Sequence, residues 1–142
     1  MQTSFQDNFD QLTRGMITPY AVKELVTGIA TEDIGFAIAV KRGAVEGQVT
    51  PIAQGDTVYG VSVKYDNGLG TYQDGDAVTV MTKGALAVKV ADAVTVAAGE
   101  PAYFVAASGE FTNVVGDNDL VGVFQSSKKN DNLAIVKLDI VA

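Results

Sequence analysis

Catalysis near neutral pH commonly rests on histidine, on cysteine or on paired carboxylates. This chain offers only the last, since it has no histidine and no cysteine. Ser-His-Asp and Cys-His systems, histidine metal sites, thiolate zinc sites and disulfides therefore fall outside its chemistry. So does the usual general base. Glu24, Glu32, Glu46, Glu100 and Glu110 are the carboxylates that could pair as in a glycoside hydrolase. Each stands beside a glycine, a turn or a charged neighbour, the ordinary setting of a surface acid. Asp117 and Asp119 in "GDNDLVG" (116–122) sit two apart, as calcium ligands do. A calcium loop also needs an oxygen at its fifth position and a glutamate at its twelfth, and these are Val121 and Lys128. "GLGTYQDG" (68–75) resembles a phosphate loop only in Gly68 and Gly70. A strand pattern follows it, so the helix N-terminus that holds phosphate is missing. Tyr59, Tyr65, Tyr72, Tyr103, Phe104 and Phe111 could form a sugar platform, or equally core and cross-strand pairs. The expectation is a chain that is not an enzyme and carries no cofactor and no metal.

The elements that would position these residues are short strands. "GFAIAV" predicts a buried strand at about Gly35 to Val40, followed by a turn at Lys41-Arg42-Gly43. Val58 to Val63 alternates, and Asp66-Asn67-Gly68 is the strongest turn signal. "AVTVMT" and "ALAVKV" flank Lys83-Gly84 and predict two strands joined by a turn there. Strands of five to seven residues recur about every ten residues, rich in Val, Ile, Thr, Tyr and Phe. That rhythm predicts an all-β antiparallel barrel or sandwich over residues 28–142. "AQGDTVYGV" (53–61), "QDGDAVTVM" (73–81) and "AAGEPAYFV" (97–105) share a glycine, an acid and an alternating strand. Glycine supplies the positive φ of the turn, and the acid can accept its backbone N–H groups.

Residues 1–27 lack this alternation and read as an N-terminal arm or short helix. Phe5, Phe9 and Leu12 would share one helical face. Pro19 fixes a bend, and "AVKELV" (21–26) suits a short helix or a strand.

The 142 residues suit one domain, and 47% hydrophobic content is enough for a core. A net charge of -7 argues against nucleic acid, which needs clustered Lys and Arg. No apolar run nears the roughly 20 residues of a membrane helix. The polar start has no secretory pattern, so the chain reads as soluble and cytoplasmically made.

In order, these elements resemble the structural cement, or capsid decoration, proteins of tailed bacteriophages. The resemblance rests on "RGMI" (14–17), "GFAIAVKRGAVEGQV" (35–49), "VYGVSVK" (58–64), "YQDGDAVTVMTKGALAVKV" (72–90), "AAGEPAYFVAASGEFTN" (97–113) and "LAIVKLDI" (133–140). The "SSKKNDN" loop (126–132) departs from it, a shorter glycine turn being usual there. The resemblance implies a virion protein on the outer capsid surface at capsomer junctions. Its implied partners are the major capsid protein and itself, as a dimer or trimer. Phe5, Phe9, Leu12, Met16, Ile17 and Tyr20 are the expected capsid or oligomer contacts, as apolar anchors of the arm. The alternatives are a tail or fibre-head module and a carbohydrate-binding β-sandwich.

Overall fold

The computed structural model describes residues 14–17, 23–64 and 70–140. In chain order the strands are β1 (Glu24–Ala30), β2 (Ile34–Gly35), β3 (Ala39–Arg42), β4 (Gln48–Pro51), β5 (Gly60–Ser62), β6 (Thr71–Tyr72), β7 (Ala77–Lys89), β8 (Pro101–Val105), β9 (Glu110–Thr112), β10 (Asp119–Phe124) and β11 (Leu133–Asp139). A 3-10 turn at Asn130–Asn132 precedes β11, and no α-helix occurs among the described residues. The class is all-β, as the strand rhythm predicts. The ambiguous "AVKELV" stretch enters β1, which crosses residue 27.

β7 is where the chain departs most from its sequence pattern. A turn is expected at Lys83-Gly84, yet the strand runs through it unbroken for 13 residues. Gly84 has φ of 130°, which bends the strand without reversing it. A hairpin would require the two halves to pair with each other. Each half instead pairs with other strands. Ala77 to Lys83 lies between β1 and β5. Lys83 to Lys89 pairs along its whole length with β11. The opposite edge of this second half is taken by residues 15–17. Gly15 N–H donates to the Ala87 carbonyl at 2.7 Å, Ala87 N–H donates to the Met16 carbonyl at 2.9 Å, and Ile17 bridges to Leu86.

This exchange of partners closes two rings. β1, β4, β3, β5 and the first half of β7 pair in a circle. The second half of β7 continues through β11, β10, β8 and β9, and a bridge from Phe111 to Val90 returns β9 to the end of β7. The strands pair antiparallel, except that β1 with β4 and the closing bridge of Phe111 with Val90 run parallel. β2 and β6 form a separate two-stranded sheet.

Side-chain alternation along β7 then divides the core. Val78 and Val80 pack with Ala30, Val40, Val49, Ile34 and Tyr72 in the first ring. Leu86, Val88 and Val90 pack with Phe104, Phe111 and Phe124 in the second. That larger cluster also takes in Val61, Val63 and Met81, so apolar packing continues between the rings. On the other face of β7, Ala85 and Ala87 pack with Leu133 and Ile135. "GALAV" is thus buried on both faces, which is why it reads as an apolar run with no polar alternation.

A second expectation also needs correction. Gly35 to Val40 is not one strand. β2 ends at Gly35, Ala37 has φ of 56°, and β3 starts at Ala39. Buried Ser62 holds the break together. Its hydroxyl donates to the Gly35 carbonyl at 2.6 Å and accepts from Ile38 N–H at 3.0 Å. A hydroxyl can serve both backbone groups where a straight strand would need a partner strand.

Candidate interaction surface

The three glycine-acid turns form as the sequence predicts, and all three have one geometry. Gly55, Gly75 and Gly99 have φ near 90°. The backbone N–H of each acid donates back across the turn, Asp56 to Ala53, Asp76 to Gln73 and Glu100 to Ala97. Each carboxylate accepts the N–H of the turn's first residue, in every case at 2.8 Å. A type II turn with glycine third has this pattern. These acids therefore lock the entries to β5, β7 and β8, and none is left poised for acid-base chemistry.

Hydrogen bonds hold two of these carboxyls below the ordinary range. For Glu100 the main cause is Asn113, then the Ala97 N–H. For Asp56 it is the Ala53 N–H, then Lys41, whose Nζ lies 2.9 Å away. A lowered folded-state pKa contributes stability above the unfolded value, and this is lost as pH falls through the folded one. Asp119 has the opposite sign. Burial first, and the Asp56 charge second, raise its carboxyl, so its contribution is present at low pH and lost as pH rises. Glu100→Gln should lower the melting temperature at neutral pH and make its further fall on acidification shallower. Thermal melts across the carboxylate range check this, and a parallel pair of curves would refute it.

Of the expected anchors, Met16 and Ile17 lie in the described fold, and both are half-buried. Met16 packs on Ala85, Ala87, Leu133 and Ile135, and Ile17 on the larger core. Phe5, Phe9, Leu12 and Tyr20 lie outside the described residues, as do Tyr65 and the Asp66-Asn67-Gly68 turn. The five described candidate platform aromatics do not assemble. Tyr72, Phe104 and Phe111 are fully buried in the cores, with Phe104 and Phe111 edge to face at 5.1 Å. The candidate glutamates are dispersed too: Glu24 accepts from Thr82, Glu32 from Thr50, and Glu100 from Asn113. No cluster of three or more acids able to hold a metal occurs among the described residues.

What the sequence left unmarked is a set of exposed apolar side chains, one group on each ring. Leu25 and Ile29 on β1 and Val45 at the β3–β4 connection are exposed on the first. Leu120 and Val123 on β10, with Val114 and Val115 before it, are exposed on the second. Beside the first group, the Arg42 guanidinium lies 4.1 Å over the Tyr59 ring. Between the rings runs an open cleft of about 500 Å³, floored by Ile52, Phe104 and Ala106 and edged by Asp117 and Asp119. The signal for the β1 group was present in "ELVTGIA", where Leu25, Thr27 and Ile29 alternate, but polarity there does not mark the outward face.

Known structures share this architecture. The capsid of Myoviridae phage XM1 contains a chain that superposes with a TM-score of 0.73 at 19% identity, covering 98% of this chain and 96% of that one. The N base of head fibre gp8.5 of bacteriophage phi29 aligns with a TM-score of 0.55 at 12% identity, over 85% of this chain and 99% of that one. No curated protein matches the sequence. At these identities the two structures establish the fold. The family is established by sequence, because residues 1–139 match that of the phage structural cement protein (E217 gp24/Pam3 gp6), and the chain belongs to it.

Proposed function

We propose that the protein binds the outer capsid surface at capsomer junctions and cements the head against internal pressure. A virion structural role, in association with the capsid, goes with the family. The observation that carries the finer reading is the placement of exposed apolar side chains on both rings, Leu25, Ile29 and Val45 on one and Leu120 and Val123 on the other. Two adhesive groups on one stiff body suit a clamp across neighbouring subunits, since the second contact is intramolecular once the first is made. Residues 1–17, with Phe5, Phe9, Leu12, Met16 and Ile17, and then Tyr20, supply further contacts to the shell or to a second copy. Nothing in this role needs a reactive group. The protein is made in the bacterial cytoplasm and joins the shell there. Binding only the assembled lattice stabilises that lattice by mass action.

The test is co-sedimentation with undecorated, expanded heads of the same phage, followed by osmotic or thermal challenge. Saturable binding at many equivalent positions, with delayed rupture, is the expected result. No binding would sink the cement reading. The likeness to a head-fibre base favours a fibre-head module as the second reading. It would appear as saturation at a few positions per head with no protection.

A further inference from the structure

The outer edge of β1 is open. Thr27 lies opposite Thr79 of β7, but the Thr79 carbonyl accepts from Val63 on the far side. Ala30 N–H donates toward the β7 side, to the Asp76 carbonyl, while Ile29 and Thr31 N–H donate to Gly47 and Val49 on the β4 side. Backbone groups alternate along a strand, so the N–H and carbonyl groups of Leu25 and Thr27 point away from β7. β4 has diverged by then, since its register with β1 covers only Ile29 and Ala30. Among the described residues no strand pairs with this edge.

An open edge carrying exposed Leu25, Thr27 and Ile29 would ordinarily be blunted by proline, charge or a covering loop. Here it is continued by Val45 and by Arg42 stacked on Tyr59. Thr27, Arg42, Val45 and Tyr59 share one cleft. Glu46 lines the same cleft, but the salt bridge nearby joins Lys41 to Asp56, and no described carboxylate is ion-paired with Arg42. The surface therefore asks for an extended segment with apolar side chains and a carboxylate.

We propose that the occupant is residues 1–13 of a second copy, added to β1 as a strand. That stretch holds Phe5, Phe9 and Leu12 as apolar groups, Asp7 and Asp10 as carboxylates, and no basic side chain. Its charge complements Arg42, and 13 residues far exceed the few that the free groups of Leu25 and Thr27 can pair. It ends at Arg14, which donates to the Gly109 carbonyl at 2.8 Å on the second ring, while β1 belongs to the first. A neighbour's segment would join the second ring of one copy to the first ring of the next. Main-chain pairing supplies affinity in such strand addition, and the side-chain pockets supply selectivity.

Sedimentation velocity of the full-length chain over a concentration series tests this, without heads. Wild type should associate. Phe5→Ser/Phe9→Ser and Thr27→Pro should each raise the dissociation constant at least tenfold. Proline at 27 removes an N–H that no described residue uses; if that variant does not fold by circular dichroism, Leu25→Lys replaces it. Arg42→Glu should weaken association, and Asp7→Arg/Asp10→Arg should restore it. A wild type that stays monomeric, a Phe5→Ser/Phe9→Ser chain that associates as wild type, or a charge exchange that restores nothing would overturn the proposal.

Discussion

Gly122→Ala should cost about 3 kcal/mol or more, a large effect for a single methyl group. Gly122 sits in β10 next to an irregularity in its pairing with β8, and it faces Leu138 of β11. A Cβ placed there would lie 2.0 Å from the Lys137 carbonyl oxygen, 2.9 Å from its carbon and 3.0 Å from the Leu138 Cα. All three are backbone atoms of the neighbouring strand, so no side-chain rotation relieves the clash. β10 and β11 must separate, and with them the wall of the second ring. For a domain of this size the penalty corresponds to a melting temperature lowered by roughly 10 °C. A melt within a few degrees of wild type would show that the two strands part easily, contrary to the packing described.

Phe111→Ala should be comparably severe, at about 3–5 kcal/mol. Phe111 is fully buried and performs two tasks. Its ring fills the second core edge to face with Phe104. Its backbone carbonyl accepts from Ala91 N–H at 3.1 Å beside the Val90 bridge that closes the ring. Truncation leaves the backbone bond possible but removes the side chain that holds β9 inward. Chemical denaturation should therefore give a lower midpoint, and amide exchange at Ala91 should accelerate more than exchange in β1. Phe111→Leu, which refills much of the volume, should recover a large part of the loss. Equal loss from the leucine variant would mean that the aromatic pairing, and not the volume, carries the site.

Local chemistry was legible in the sequence where it is settled by neighbouring residues. The three glycine-acid turns are of this kind, because glycine, acid and acceptor all lie within four residues. The all-β class was legible for the same reason. Lys83-Gly84 was misleading because a glycine after a lysine between apolar runs suits either a reversal or a bend. The choice was made by β11 and β1, which lie about fifty residues away on either side. The Gly35 to Val40 stretch likewise breaks because Ser62, from a later strand, bonds the bend. Of the expected anchors, Met16 and Ile17 were legible as apolar residues, and the structure packs both against the protein's own cores. The open edge of β1 was not legible, since an absent neighbour is a property of the topology and no local pattern encodes it.

The continuity of β7 has a thermodynamic consequence. A molecule made of two closed rings joined by a linker would melt as two bodies, each with its own enthalpy. Here one strand supplies a wall to both, so unravelling either ring strips partners from the other. The two should share a single cooperative transition, with calorimetric and van't Hoff enthalpies in agreement. If the protein cements the head as proposed, it must stay intact under load, and cooperativity of this kind removes the partly opened states through which a two-body design would fail first.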